Sequence, residues 1–387
     1  MMMQQQQRLL QQAAQLQQQA MLSSFPLQHD DYVHDIAFDF SGKRIATCSS
    51  DQKIRVWEKK QKLVGASGGA SGNAGMSQSG ETSAFGCAQE QYVVEWELVE
   101  ELSKQNSHSA AVQRVQWADS EFGSILASSS FDKQVFIWEE IETKDVNKQQ
   151  WVKRINFMEK EAILDIKFAP KHWGLTLAIA LADGTIKMQT SKDLSNLTQW
   201  SELCVIKLAQ GLPGLGCNCL SWNPAFDEPQ MFAVGCSITA QQSDPLSSVD
   251  HRENLLQIYI KEQMAPGFTL YSAKFPIHPH TSTVNDVAWA PLMGRSFHMI
   301  ASCSKERVVV WKVTVRDIFQ GEAGLYKDPI IEPMLNAEAH RGGEVWRLSW
   351  NLLGTCVASS GDDGAVRLWK KSVKSGFTQI ACLQANQ

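Results

Sequence analysis

No run of apolar residues in the chain approaches the roughly 18 that a bilayer-crossing helix requires. No Lys/Arg cluster marks a nucleic-acid-binding surface, and 36 basic against 41 acidic residues leave a formal net charge of only −5. Neither a transmembrane segment nor direct nucleic-acid binding is therefore expected. Glutamine dominates the N-terminus where a signal peptide would be apolar, so the chain reads as soluble and intracellular. The nine cysteines include no Cys-x-x-Cys pattern, and the closest pair, Cys217 and Cys219, has strand spacing. Reduced, mostly buried thiols are expected in place of a zinc site or a disulfide framework. No Gly-rich phosphate loop follows a strand and no His/Glu pair has metal spacing, which argues against a cofactor, a metal and an enzyme. What the chain does hold is 13 Trp, 25 Gly and 43% apolar residues, a composition that suits an all-β repeat fold.

The repeat is clearest between Val345 and Lys370. Three short strand-like runs are legible there, Val345 to Trp350, Cys356 to Ser359 and Ala365 to Trp369, with Trp346, Leu348 and Trp350 expected on one side. Between the last two runs Gly361-Asp362-Asp363-Gly364 supplies the backbone freedom of a tight hairpin. A His before the first strand, a hydroxyl in the second, an Asp in the hairpin and a Trp closing the third form a relay of polar groups that can satisfy one another when buried. This is the signature of a WD-repeat blade. His340, Ser359, Asp363 and Trp369 carry it here. His29, Thr47, Asp51 and Trp57 repeat it at the start of the chain, and His108, Ser128, Asp132 and Trp138 repeat it next. Ser, His and Asp also compose catalytic triads. The fixed six-residue step from Asp51, Asp132 and Asp363 to a Trp assigns these sets to hairpin architecture instead.

Taken in order, residues 1–28 read as a disordered Gln-rich tail, with a coiled-coil arm as the alternative, and 29–383 as a propeller of six four-stranded blades. A Gly/Ser-rich stretch at about 65–86 reads as a flexible loop within the first blade, and 384–387 as the chain end. The third and fourth repeats put Gln189 and Tyr259 in the Trp place. The fifth recovers His280, Val284 and Trp311. Counting back from Trp311 puts Lys305 in the Asp place and Ala301 in the hydroxyl place, so its relay is expected not to close.

Each repeat supplies all four of its own strands, and no spare strand precedes His29. The device by which most propellers close, one blade built from both termini, is missing. Two readings follow: a ring closed on itself, with the first and sixth blades face to face, or an open ring that accepts a blade from another protein. The apolar positions expected on the open edge are Val33, Ile36 and Phe38 of the first blade and Val366, Leu368, Ile380 and Leu383 of the last.

Cys48-Ser49-Ser50-Asp51, Phe168-Ala169-Pro170-Lys171-His172, Gln199-Trp200, Ser221-Trp222-Asn223-Pro224, Gly294-Arg295-Ser296-Phe297-His298 and Val345-Trp346-Arg347 lie in different repeats. Together they resemble the Seh-type WD-repeat nucleoporins. The resemblance spans about residues 29–383. It implies an open six-bladed propeller that a helical-solenoid scaffold nucleoporin completes with a donated blade, within the Y-shaped complex of the nuclear pore at the nuclear envelope. It also implies other Y-complex members as partners. A second role would lie in the GATOR nutrient-sensing assembly at the lysosomal or vacuolar surface. Alternatives are the related propeller of the outer vesicle coat and a general WD-repeat adaptor. A ubiquitin-ligase substrate receptor is disfavoured because no Asp-x-Arg follows the blade tryptophans.

Overall fold

The computed structural model describes residues 25–64, 91–103, 107–142, 149–208, 215–238, 255–261, 267–272, 275–277, 280–305, 307–315, 328–340, 342–372 and 376–384. The described residues form 24 strands in six four-stranded antiparallel sheets. Blade 1 comprises β1 (Val33–Phe38), β2 (Arg44–Ser49), β3 (Ile54–Val64) and β4 (Gln91–Leu102). Blade 2 has β5 (Val112–Trp117), β6 (Ile125–Ser130), β7 (Gln134–Glu142) and β8 (Gln149–Met158). Blade 3 has β9 (Ile163–Phe168), β10 (Leu175–Leu181), β11 (Thr185–Ser191) and β12 (Ser201–Lys207). In blade 4 these are β13 (Leu215–Trp222), β14 (Met231–Ile238), β15 (Leu256–Lys261) and β16 (Phe268–Ser272). Blade 5 follows with β17 (Asp286–Trp289), β18 (His298–Ser304), β19 (Arg307–Thr314) and β20 (Ile330–Glu338). Blade 6 closes the series with β21 (Val345–Trp350), β22 (Cys356–Gly361), β23 (Ala365–Ser372) and β24 (Gly376–Gln384).

The first strand of every blade faces a central channel of about 740 Å³, lined among others by Phe38, Trp117, Lys167, Leu220, Asp286 and Leu348. The second strands are almost wholly buried from blade 1 to blade 5, because their two faces meet the blades before and behind. Near-continuous apolar runs such as Leu175–Leu181, broken only by Thr176, are what such a two-sided position selects. Apolar clusters join blades 1 and 2, blades 2 and 3, blades 3 to 5, and blades 5 and 6. Among the described residues no such cluster joins blade 6 to blade 1.

Most inner strands carry a bulge near their start, as at Val33/Asp35, Val112/Arg114, Cys217/Cys219 and Val345/Arg347. The bulge corrects one expectation. It flips Trp346 away from Leu348, leaving the indole exposed and donating to Asp362 Oδ1 at 2.5 Å. The hairpins between second and third strands place a left-handed residue at one shared position: Gln52, Lys133, Gly184, Lys305 and Gly364. Glycine is the unstrained choice there, and blades 3 and 6 have it.

Residues 1–24, most of the Gln-rich tail, and the Gly/Ser loop at 65–86 lie outside the described residues, as do 385–387. The tail boundary at 28 moves: Phe25 packs edge-on against Trp57 at 5.3 Å and stacks on Trp96 at 5.8 Å, and Arg55 Nη1 donates to the carbonyl of Leu27. The last strand runs one residue further than expected, to Gln384. No helix is long and apolar enough to cross a membrane among the described residues.

Candidate docking site

The buried relays hold each blade as one piece. In blade 1, His29 Nδ1 lies 2.9 Å from Asp51 Oδ2 and Nε2 lies 2.9 Å from Thr47 Oγ1, which also accepts from Trp57 Nε1 at 3.2 Å. In blade 2 the matching distances are 3.1 Å from His108 to Asp132, 2.8 Å from His108 to Ser128 and 2.9 Å from Trp138 to Ser128. In blade 6 His340 lies 2.7 Å from Asp363 and 2.9 Å from Ser359, which accepts from Trp369 at 3.0 Å. Burial would raise the Asp363 carboxyl, but hydrogen bonds from His340, Arg367 and the Ala365 N–H hold it down at about 2. Burial would raise Asp51 and Asp132 as well, but the hydrogen bonds from their histidine and from backbone N–H groups together lower them. Every relay hydroxyl is fully buried and engaged by the indole and the imidazole, so none is open to a substrate.

Blade 5 corrects the sequence reading. Its relay does close: His280 Nε2 lies 2.7 Å from Ser302 Oγ, Nδ1 lies 2.6 Å from Ser304 Oγ, and Trp311 Nε1 donates to Ser302 at 2.9 Å. The reason is hairpin length. In blade 1 Thr47 pairs with Arg55, whereas in blade 5 Ser302 pairs with Val309, so the turn is one residue shorter. Counting ten back from the Trp lands on Ala301 when the hydroxyl is Ser302. Ser304 takes the Asp place, and Lys305 is the left-handed residue after it. With no carboxylate beside it, the buried His280 is pushed down to about 3 by burial.

A second set of side chains welds blade to blade. At one inner-strand position Asp35, Asp165 and Asp286 each accept a backbone N–H from the next blade, from Val115, Leu220 and Leu348 at 3.2, 2.9 and 2.8 Å. The last residue of that next strand, Trp117, Trp222 or Trp350, donates its indole N–H back to Ala37, Lys167 or Ala288. Blades 1–2, 3–4 and 5–6 thus form three bonded pairs. The seams between pairs use a different acceptor: Gln116 takes the Phe168 N–H at 2.6 Å and Ser221 takes the Trp289 N–H at 2.8 Å. The same strand position in blade 6 is Ser349, and the matching N–H in blade 1 is that of Phe38. Ser349 is exposed. Arg347 Nη2 reaches across that gap to Asp35 Oδ1 at 3.7 Å, at the channel end.

The register shows what the gap leaves uncovered. Ile36 pairs with Thr47 and Phe38 with Ile45, as Val115 pairs with Ser128 and Trp117 with Leu126. Val115 and Trp117 are 3% and 9% exposed, while Ile36 and Phe38 are 50% and 58% exposed. On the other side Val366 and Leu368 match Val135 and Ile137, and Leu383 matches Phe157. Val135 is fully buried, whereas Val366 is 37% and Leu383 42% exposed. Leu368 and Val33 are half-buried. Ile380 is different. It sits in the outer-strand bulge, where blade 2 has Arg154 paired with Glu139, so it faces the rim and not the flank. Sequence reading missed Trp96, Phe25 and Arg347. Trp96 carried a usable signal, since it falls where blade 2 has Trp151, and its 6.2 Å edge contact with Phe38 copies the 5.6 Å contact of Trp117 with Trp151.

The WD domain, G-beta repeat family matches residues 21–58, 99–139 and 332–370. Those segments hold the complete Asp-bearing relays of blades 1, 2 and 6. Over 371 residues the chain is 35% identical to Nucleoporin SEH1-A of Xenopus laevis, an alignment covering 94% of this chain and 88% of that protein. The chain belongs to the nucleoporin SEH1 family. Nucleoporin SEH1 of Homo sapiens is 35% identical over the same shares, and that of Osmerus mordax is 36% identical over 373 residues, 94% of this chain and 87% of its own. An SEH1-family propeller whose relay hydroxyls are sealed in the blades is a structural protein and not an enzyme. Among the described residues no group of His, Cys, Asp and Glu is placed to hold a metal ion.

Proposed function

We propose that this SEH1-family propeller is a scaffold component of the nuclear pore, and that the flank between blades 6 and 1 receives a β-blade donated by a helical-solenoid nucleoporin of the Y-shaped complex. One observation carries the reading: Ile36, Phe38 and Val366 are exposed at positions whose counterparts Val115, Trp117 and Val135 are buried, and Leu383 is exposed where Phe157 is partly buried against the cluster of blades 2 and 3. A donated blade would supply the missing neighbour. Burial at roughly 25 cal/mol per Å² over an interface on the order of 2,000 Å² outweighs backbone hydrogen bonds of about 1 kcal/mol each. Attachment is therefore apolar in origin and persists in moderate salt. The scaffold so formed supports nucleocytoplasmic transport. The same slot serves the GATOR assembly if a component there presents an equivalent blade.

The test is affinity purification under mild salt with mass identification of the bound protein. The native chain is expected to retain a solenoid nucleoporin, and the double variant Ile36→Asp, Phe38→Asp to lose it while its thermal unfolding stays unchanged. Retention of a vesicle-coat component in place of a nucleoporin would move the assignment to the coat. Equal retention by the double variant would rule out this flank as the slot.

A further inference from the structure

Blade 3 shows how a blade is held between two neighbours at the channel. On one side Asp165 Oδ1 meets Arg114 Nε of blade 2 at 3.3 Å, and on the other its Oδ2 accepts the Leu220 N–H of blade 4 at 2.9 Å. One carboxylate thus joins a cation from the blade before to a backbone donor from the blade after. Two residues beyond Arg114, Gln116 adds a second link by accepting the Phe168 N–H of blade 3.

The two edges of the gap carry the outer parts of the same arrangement. Arg347 of blade 6 stands where blade 2 has Arg114, since it pairs with Ser360 as Arg114 pairs with Ser129. Ser349, in the place of Gln116, is an exposed acceptor. In blade 1 Ile36 pairs with Thr47 as Leu220 pairs with Val234, so its N–H stands where Leu220 meets an Asp of the blade before. For blade 1 the blade before is the one the gap lacks. Arg347 reaches Asp35 instead, at 3.7 Å and through Nη2, whereas Arg114 meets Asp165 through the nearer Nε and also donates to the Leu164 carbonyl.

We propose that the donated blade carries an Asp or Glu on its innermost strand, at the position of Asp165, and that this carboxylate pairs with Arg347 and accepts the Ile36 N–H. The inference rests on the reading of the gap as a slot and names the chemistry by which the slot recognises its occupant. Charge complementarity carries it. Around the channel the matching positions run Asp35, Arg114, Asp165, Cys219, Asp286 and Arg347, so the Arg of blade 2 is followed by an Asp in the next blade. An inserted strand becomes the follower of Arg347. An apolar residue at that position would cover the guanidinium without pairing it, and a Lys or Arg would meet it with like charge. Apolar contacts on the two flanks supply the attachment. The acid fixes register, because a slip of one residue turns it to the opposite face of its sheet.

Carbodiimide crosslinking of the affinity-purified complex reads the contact directly. Arg347→Lys in the full chain offers an amine at this position, and a zero-length crosslink from position 347 to an Asp or Glu of the retained protein is expected. Arg347→Glu should cut retention of that protein about tenfold or more while its circular dichroism stays native. Exchanging the crosslinked acid of the donor for Lys should then restore retention by Arg347→Glu. Crosslinks from position 347 confined to Asp35 in the captured complex, or equal retention by Arg347→Glu, would overturn the proposal. Retention that survives Arg347→Glu and is lost in Ile36→Asp, Phe38→Asp would refute this inference alone and leave the slot standing. Absence of any retained protein with the native chain would remove both.

Discussion

Blade 1 and blade 2 turn nearly the same flank toward the blade before them. Blade 2 offers Val115, Trp117, Trp138 and Trp151; blade 1 offers Ile36, Phe38, Trp57 and Trp96 at matching registers. In blade 2 all four are buried, whereas in blade 1 Ile36 and Phe38 are exposed and only Trp57 is deeply covered. The two sequences specify the same wedge, and the neighbour alone decides whether its apolar face is paid for by burial. An exposed Phe38 is thus a different observation from a stray surface aromatic, because its counterpart shows the partner that such a face is shaped to meet.

The comparison can be broken most directly at its strongest point. Trp117→Ala should destabilise the propeller by about 3–5 kcal/mol, since it removes a packed indole and its hydrogen bond to Ala37. Phe38→Ala should stay within about 0.5 kcal/mol. Urea unfolding of both variants decides it, and equal losses would mean that blade 1's flank is covered in the isolated chain. Next in size, His340→Ala or Asp363→Ala should cost about 1–3 kcal/mol by leaving Ser359 and Trp369 without their relay, in the blade bordering the gap as in any other.

Acid sharpens the contrast between the relays. His280, with serines on both nitrogens, titrates in the fold at about 3, against 6.5 for an ordinary histidine. Its folded pKa is depressed, so the unfolded chain binds the extra proton. Stability is full above about 6.5 and falls as pH drops toward 3, by about 1.4 kcal/mol per pH unit for one proton. His280→Gln should flatten that slope in denaturation midpoints taken from pH 7 to pH 5. The smallest effect is expected at the inter-blade acceptors. Burial raises Asp286 to about 6, so its charge opposes folding increasingly as pH rises from about 4 through 6. Asp286→Asn keeps an acceptor for the Leu348 N–H and should leave stability at pH 7 unchanged or raise it by up to about 1 kcal/mol, where Asp286→Ala should lower it.

The fold was legible because hairpin chemistry repeats at a fixed distance from a Trp, as Asp51, Asp132 and Asp363 show. The same rule misread blade 5, where a turn one residue shorter moved the hydroxyl from Ala301 to Ser302. Alternation predicted one side for Trp346 and Leu348, and a bulge separated them. The uncovered flank between blades 6 and 1 was legible only in part. Strand counting located it, and Ile36, Phe38, Val366 and Leu383 follow from alternation. Ile380 failed because a bulge in the outer strand shifts the alternation there. Arg347 and Phe25 were silent, since neither a lone Arg on a strand nor a Phe at the end of a Gln-rich leader announces what it will touch.

The ion pair of Arg347 with Asp35 ties the two ends of the ring at the channel, and among the described residues no apolar cluster joins them farther out. That makes it a pivot. Four strands place the rim about 15 Å beyond it, so a small rotation there spreads the outer sheets like a fan while the axle scarcely moves. A wedge-shaped insert is then admitted by angle and not by translation. Spin labels on the outer strands of the first and last blades should report broad distances, and labels beside Arg347 and Asp35 narrow ones.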